Sequence, residues 1–290
     1  MNVARRVDEL AGGAERAVAI GTFDGVHLGH QAVIRAATAA AGLRPTVVTF
    51  DPHPRTVLGN RVELLATLGR RLELFEQCAI EDVLVVEFTP EVAALAPEAF
   101  VHEVLLGIGA QVVVAGEGFR FGRRREGTLE LLRTLGIEVR PVPIVNCVSS
   151  TRIRQYAHAG EVEEAARLLG RPLEVEGVVV SGDQRGGTLG FPTANLRVDP
   201  DLLVPGYGIY AGAVGDRRAA ISIGINPHYG GTERRVEAYL LDWEGDLYGE
   251  RLVIELWRRL RDERAFGSED ELVAQIARDV EETRAATRPH

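Results

Sequence analysis

The chain predicts an α/β domain built on a parallel sheet, followed by an antiparallel β-barrel and a C-terminal helix. Three observations carry this. Short apolar runs alternate with helix-like segments through the first half of the chain. Past Pro172 the apolar period changes to two, and strand-like runs follow one another without helices between them. Behind Ser268 a helical stripe returns.

In order, Ala17 to Ile20 reads as a buried strand, then a helix runs from about Leu28 to Ala41. Thr46 to Phe50 is the next strand and Arg70 to Gln77 the next helix. The strand Asp82 to Val86, the helix Pro97 to Leu106 and the strand Gln111 to Ala115 continue the alternation. A helix opened by Ser149 is stopped by Gly160, and a second, Val162 to Leu169, ends at Gly170-Arg171-Pro172. That stop places the domain boundary, giving domains 1–170 and 171–290. The barrel strands are Leu173 to Val180, Ile209 to Val214, Arg218 to Ile225, Val236 to Leu241 and Leu252 to Trp257. Ser268 and Glu271 form a capping box for the last helix, whose Leu272, Ile276 and Val280 share one stripe.

Composition narrows the function. With 290 residues, 46% hydrophobic and 26% charged, the chain suits a soluble protein with two cores. No apolar run approaches the roughly 20 residues that span a bilayer, and no signal-peptide core is seen. Cys78 and Cys147 are too few for a disulfide framework or a zinc site, which points to the cytoplasm. A net charge of −9 argues against nucleic acid or an anionic membrane as partner. All 33 basic residues are arginine, so no Walker-type phosphate loop exists. Nucleotide phosphates must meet arginine, histidine, backbone N–H groups or a metal ion.

The segment Gly21-Thr22-Phe23-Asp24-Gly25-Val26-His27-Leu28-Gly29-His30 links the first strand to the first helix. Gly21 and Gly25 let the backbone approach a ligand, and the helix start favours an anion. His27 and His30 share a helical face and can reach one phosphate. On spacing alone, two solvated histidines at a surface helix start fit equally well. Ser149-Ser150-Thr151-Arg152-Ile153-Arg154 reads as an N-cap or as hydroxyls and Arg154 around a phosphate. Gly186-Gly187-Thr188-Leu189-Gly190-Phe191-Pro192-Thr193-Ala194-Asn195 reads as a hairpin or a phosphate cover. Glu237 alternates with Val236, Ala238 and Leu240, a pattern that usually turns a strand glutamate to solvent.

Together these motifs resemble the bacterial bifunctional riboflavin kinase/FMN adenylyltransferases, the FAD synthetases, over residues 16 to 285. His27-Leu28-Gly29-His30 matches the H-x-G-H signature of the nucleotidyltransferases, with the family's F-D-G before it. Thr49-Phe50-Asp51-Pro52-His53-Pro54, Ser149 to Arg154, Gly190-Phe191-Pro192-Thr193-Ala194-Asn195, Glu237 and Asp246-Leu247-Tyr248-Gly249 match further segments in the family's order. Asn226-Pro227-His228-Tyr229 is a looser match. The resemblance implies a Rossmann-like nucleotidyltransferase domain followed by a Greek-key kinase barrel. It implies His27, His30 and Arg154 as charge partners in adenylyl transfer, and Glu237 as general base of a riboflavin kinase. Gly21, Phe23, Asp24, Gly25, Ser150, Thr151, Gly182, Gly186, Gly190, Thr193 and Asn195 would bind nucleotide, with Thr193 on Mg²⁺. Riboflavin, FMN and ATP would be the small-molecule partners of a monomer or weak homo-oligomer. Two positions depart from the family: Gly118 where a polar residue is usual, and Cys147 where an arginine often stands. Neither can supply the usual polar or cationic side chain. The alternatives are therefore a monofunctional kinase with a decayed first domain, or a non-catalytic flavin-binding protein.

Overall fold

The apolar runs of the first half become a six-stranded, all-parallel sheet. Its strands are β1 (Asn2–Ala4), β2 (Arg16–Ile20), β3 (Arg44–Asp51), β4 (Asp82–Glu87), β5 (Ala110–Gly116) and β6 (Glu138–Val142), in the order β1-β4-β3-β2-β5-β6. The computed structural model describes residues 1–145, 147–182, 189–225 and 234–289. They pack as two units, one of residues 1–62 and 66–148, the other of 63–65 and 149–289.

In the first unit every residue of β2 is buried, because both faces of the sheet are covered. Ala17, Ala19, Val47 and Val83 form one core with α1 (Leu28–Thr38). The short α2 (Pro54–Val57) follows β3, and α3 (Leu68–Gln77) adds Leu74 and Phe75 to the same core. On the other face, Val18, Ile20, Val48 and Val113 pack with Phe100, Val104 and Leu132. There α4 (Pro90–Ala94), α5 (Pro97–Phe100) and α6 (Leu129–Thr134) lie between the strands in sequence. The helix expected over 97–106 begins as α5 and continues as a π-helix over Val101–Leu106. Strand order reverses between β2 and β5, so the loop after β2 leaves the sheet at its switch point, where ligands bind in such sheets.

The second unit is a closed barrel of β7 (Leu173–Val180), β8 (Ala194–Val198), β9 (Gly208–Val214), β10 (Arg217–Ile225), β11 (Arg234–Leu240) and β12 (Arg251–Arg261). Antiparallel strands run round it as β10-β11-β8-β7-β12-β9. With β9, β10 and β11 adjacent in turn and β12 returning beside β9, this is a Greek key. Before it come α7 (Ser150–Ala159) and α8 (Val162–Leu169), each ended by a left-handed glycine, Gly160 (φ 75°) and Gly170 (φ 71°). Ile153, Ala157, Val162, Ala165 and Leu169 of these helices are buried with Leu173, Val175 and Leu256 of the barrel. The final α9 (Glu269–Ala285) is capped by Ser268, whose side chain accepts the Glu271 N–H at 3.3 Å. The Glu271 carboxylate reaches back to the Gly267 N–H at 3.1 Å.

Candidate active sites

In the first unit, the β2–α1 loop is wound tightly by three left-handed residues, Phe23 (φ 54°), Gly25 (φ 81°) and Val26 (φ 41°). A β-branched residue rarely takes that conformation, so tertiary contacts must hold it. They do: Phe23 and Val26 are each 2% exposed, and the Val26 N–H donates to the Phe23 carbonyl at 3.0 Å. Gly21 donates to the Val48 carbonyl at 3.1 Å, and a Cβ there would stand 3.2 Å from the Phe23 ring. Asp24 is buried beneath the same loop.

His27 is the N-cap of α1. Its Nδ1 accepts the His30 N–H at 3.2 Å, which leaves the ring proton of the neutral imidazole on Nε2. The two imidazoles stack at 3.5 Å with 17° between planes, and Phe23 meets His30 edge-on at 5.3 Å. The sequence therefore places both histidines together, over a helix N-terminus that favours negative charge.

Sequence reasoning missed Arg71. It is 3% exposed on its side chain, and its guanidinium donates to the Thr22 carbonyl (2.9 Å), Thr49 Oγ1 (3.1 Å), the Phe50 carbonyl (3.2 Å) and Asp51 Oδ1 (3.1 Å). Burial weakens its hold on its proton, and Asp24 and Asp51 act the other way. The signal was present: Leu68, Arg71, Leu72 and Phe75 stand at i, i+3, i+4 and i+7, so Arg71 occupies a core position. Beside it, Thr49 Oγ1 donates to the Thr22 carbonyl at 3.1 Å, and His53 Nδ1 accepts the Arg55 N–H at 3.1 Å. At Gly118 an added Cβ would meet nothing within 4 Å, and Cys147 is exposed.

Ser150, Thr151 and Arg154 lie on α7, in the second unit. Ser149 accepts the Arg152 N–H at 3.3 Å and caps the helix. Arg154 Nε donates to the Glu63 carbonyl at 2.6 Å, and His158 Nε2 stands 2.8 Å from the Glu63 carboxylate. Glu63 is held there because Leu64 is hydrogen-bonded on both sides, its N–H to Asp201 (2.7 Å) and its carbonyl to the Leu203 N–H (2.8 Å).

On the barrel, β11 alternates as expected: Val236, Ala238 and Leu240 point inward, while Glu237 and Tyr239 face out. Register sets Glu237 opposite Asn195 of β8 and Ser222 of β10. Thr193 Oγ1 donates to Glu237 Oε2 at 3.4 Å, and Arg235 stands 3.7 Å from Oε1. Two cavities lie at this part of the barrel wall, and Thr193 lines both. One, of about 350 Å³, runs from Glu237 over Phe191, Tyr239, Phe266, Leu272 and Ile276. The other, of about 380 Å³, is bounded by Gly182, Asn195, Trp243, Asp246 and Tyr248. A Cβ on Gly182 would overlap the Asn195 amide, and Gly190 is left-handed (φ 85°). Gly186, with Arg185, Gly187 and the Asn226-Pro227-His228-Tyr229 segment, lies outside the described residues.

Glu263 also lines the first cavity, lying across Gly224, where a Cβ would overlap its carboxylate. Burial and the nearby Glu237 raise its pKa, against the pull of Arg261. At the far side, buried Asp279 accepts from Arg261 Nε (3.0 Å) and from Gln275 (2.8 Å). The oxygens of Thr193 and Asn195 suit a hard cation shared with phosphates. Among the described residues no group of three His, Cys, Asp or Glu side chains forms a metal cage of its own.

Fold and sites together define a two-domain transferase, with a nucleotidyltransferase-type α/β domain ahead of a Greek-key barrel. Comparison with known proteins is specific on both halves. The FAD synthetase family model matches residues 12–155, and the riboflavin kinase family model matches residues 169–287. The chain is 38% identical over 288 residues to the bifunctional riboflavin kinase/FMN adenylyltransferase of Listeria monocytogenes, covering 93% of this chain and 92% of that one. It is 36% identical to the protein of the same name from Bacillus subtilis, with the same coverage. A crystal structure described as a macrolide-efflux protein from Streptococcus pneumoniae superimposes with a TM-score of 0.86 at 33% identity, covering 97% of this chain and 98% of that one. No helix among the described residues is long and apolar enough to cross a membrane. The chain belongs to the bifunctional riboflavin kinase/FMN adenylyltransferase family.

Proposed function

We propose that this chain makes both flavin nucleotides, phosphorylating riboflavin to FMN in its barrel and adenylylating FMN to FAD in its α/β domain. The observation that carries the reading is the meeting of Glu237, Thr193 and Asn195, with Thr193 lining both an apolar cavity and a glycine-edged one. The apolar cavity suits an isoalloxazine ring, and the other suits a nucleotide. In the first step the terminal ribityl oxygen bonds to the γ-phosphorus of ATP and the bond to the β-phosphate oxygen breaks. Glu237 takes the hydroxyl proton, and FMN and ADP result. Thr193 and Asn195 would hold Mg²⁺, which when bound neutralises phosphate charge.

In the second step a phosphate oxygen of FMN bonds to the α-phosphorus of another ATP, and pyrophosphate leaves. By the family resemblance, His27 and His30, and Arg154 of α7, would act on the charge that develops, with no covalent intermediate. Gly21, Phe23, Asp24 and Gly25 shape the loop under the phosphates, and Ser150 and Thr151 offer hydroxyls to them. Residues 1–170 would carry this activity and 171–290 the kinase. With Cys78 and Cys147 in no disulfide, we place the protein in the cytoplasm, as a monomer or weak homo-oligomer.

The test is chromatographic. Riboflavin with ATP and Mg²⁺ should give FMN and then FAD, and supplied FMN should give FAD and pyrophosphate. FMN without FAD at saturating ATP would leave only the kinase, as the departures at Gly118 and Cys147 would suggest.

A further inference from the structure

We infer that Arg71 is a positioning residue for adenylyl transfer, holding the β2–α1 loop and the end of β3 in one geometry while pairing with the Asp51 carboxylate beside them. The inference rests on the reading of His27 and His30 above.

A guanidinium that is 3% exposed has lost its water, and such a group persists only where its donors are satisfied and its charge is balanced. In a core position of α3 an aliphatic side chain would pack without that penalty. The donors of Arg71 do not serve α3. They go to two segments at the carboxyl ends of neighbouring strands, the Thr22 carbonyl after β2 and Thr49, Phe50 and Asp51 at the end of β3. Thr22 immediately precedes the left-handed Phe23, so the carbonyl that Arg71 grips sets the entry to the strained turn. From that turn His27 is delivered to the head of α1 and stacks on His30.

Charge supplies the second half. Asp24 is 3% exposed within the loop, and Asp51 ends β3. Left uncompensated, two carboxylates beside this loop would disfavour an anion bound on it. Arg71 pairs with Asp51 at 3.1 Å and so places a positive charge at this point. A fork that reaches four acceptors also constrains geometry in a way a single ammonium does not.

The experiment uses the full chain with Arg71→Lys, Arg71→Leu and His30→Ala. FAD formation from FMN and ATP is measured for kcat and KM(ATP), with riboflavin phosphorylation and thermal unfolding on the same preparations. Arg71→Lys keeps a cation beside Asp24 and Asp51 but not the fork. It should lower kcat by about tenfold or more and leave KM(ATP) within about threefold, since small misplacements are costly in rate. Arg71→Leu loses fork and charge together, so kcat should fall and KM(ATP) rise. Riboflavin phosphorylation should stay within about twofold in both. A wild-type kcat for adenylyl transfer in Arg71→Lys overturns the inference, and that variant decides the matter if Arg71→Leu does not fold. So does an Arg71→Leu protein whose kcat and KM(ATP) are unchanged. If His30→Ala retains full adenylyl transfer, the reading of the histidine site fails instead, whatever the Arg71 variants do.

Discussion

Glu237→Gln isolates one proton acceptor in a chain that carries its own control reaction. The substitution keeps the side-chain volume and can still pair with Thr193, which stands 3.4 Å from Oε2. What it removes is the capacity to accept a proton from the attacking hydroxyl. General-base assistance contributes roughly 10²- to 10⁴-fold, or about 3 to 5 kcal/mol of barrier. The stability cost should be small, because the carboxylate is 30% exposed and its ion pair with Arg235 is long at 3.7 Å. Half-exposed pairs of this kind are worth about 1 kcal/mol or less. The assay follows FMN from riboflavin and ATP by chromatography, and FAD from supplied FMN in parallel. Riboflavin phosphorylation should fall at least about a hundredfold, while adenylyl transfer stays near wild type. If FMN formation survives within about threefold of wild type, the base lies elsewhere and the assignment fails.

Gly182→Ala should lower kinase activity with little change in unfolding midpoint, because the new methyl displaces the Asn195 amide, the end of a movable side chain; unchanged kinetics would remove Asn195 from the phosphate site. Glu263→Gln should stabilise the protein more at about pH 8 than at about pH 4. Below the ordinary carboxylate range both folded and unfolded chains are protonated there. Above it the unfolded chain ionises freely, while the folded one works against burial and Glu237, so wild-type stability declines as pH rises through that window. A pH-independent difference in melting temperature would show that this carboxyl is not strained. Finally, a fragment of residues 149–290 should unfold cooperatively and phosphorylate riboflavin, with a higher midpoint than 172–290. The shorter piece lacks Ile153, Ala157, Val162, Ala165 and Leu169, all buried against the barrel core. Equal midpoints would mean that α7 and α8 add nothing to the barrel.

What could be read from the sequence was whatever a local pattern specifies. The unbroken apolar β2 announced a strand buried on both faces, and Gly160 and Gly170 marked two helix ends to the residue. Alternation around Glu237 put it outside the barrel before any strand partner was known. Elements fixed by neighbours rather than by their own pattern were not legible. β1 is a three-residue edge strand held by pairing to β4, and β6 is a largely exposed edge strand carrying Pro141. β8 has a single buried residue, Leu196, and starts inside the Thr193-Ala194-Asn195 motif, which read as a hairpin or a phosphate cover and was not among the expected strands. The first helix ends at Thr38, short of Ala41. The convergence of Thr193, Asn195 and Glu237 was implied only by family resemblance, since register is a property of paired strands. Arg71 went unnoticed because a charge in an apolar stripe looks like noise until its acceptors are seen.

The position of the kinase site follows from the size of the barrel. Six strands enclose too little space for a ligand, and here the interior is filled by Ile221, Ile223, Val236, Ala238, Ile254 and Leu256. A general base on such a wall, the role proposed for Glu237, has to face outward, as this side chain does. An outward face is open to water, which would compete with riboflavin for the γ-phosphoryl group, so a second wall is needed. The C-terminal segment supplies it: Phe266, Leu272 and Ile276 close the cavity opposite Glu237 and Tyr239. That wall is fixed by charge as well as by packing, through Arg261 of β12 on buried Asp279 of α9 and through Gln275 between Asp279 and Arg264. The last helix thus lines the cavity proposed to take riboflavin. The pattern of Leu272, Ile276 and Val280 that marks it as amphipathic in the sequence is, at two of its three positions, the lining of that cavity.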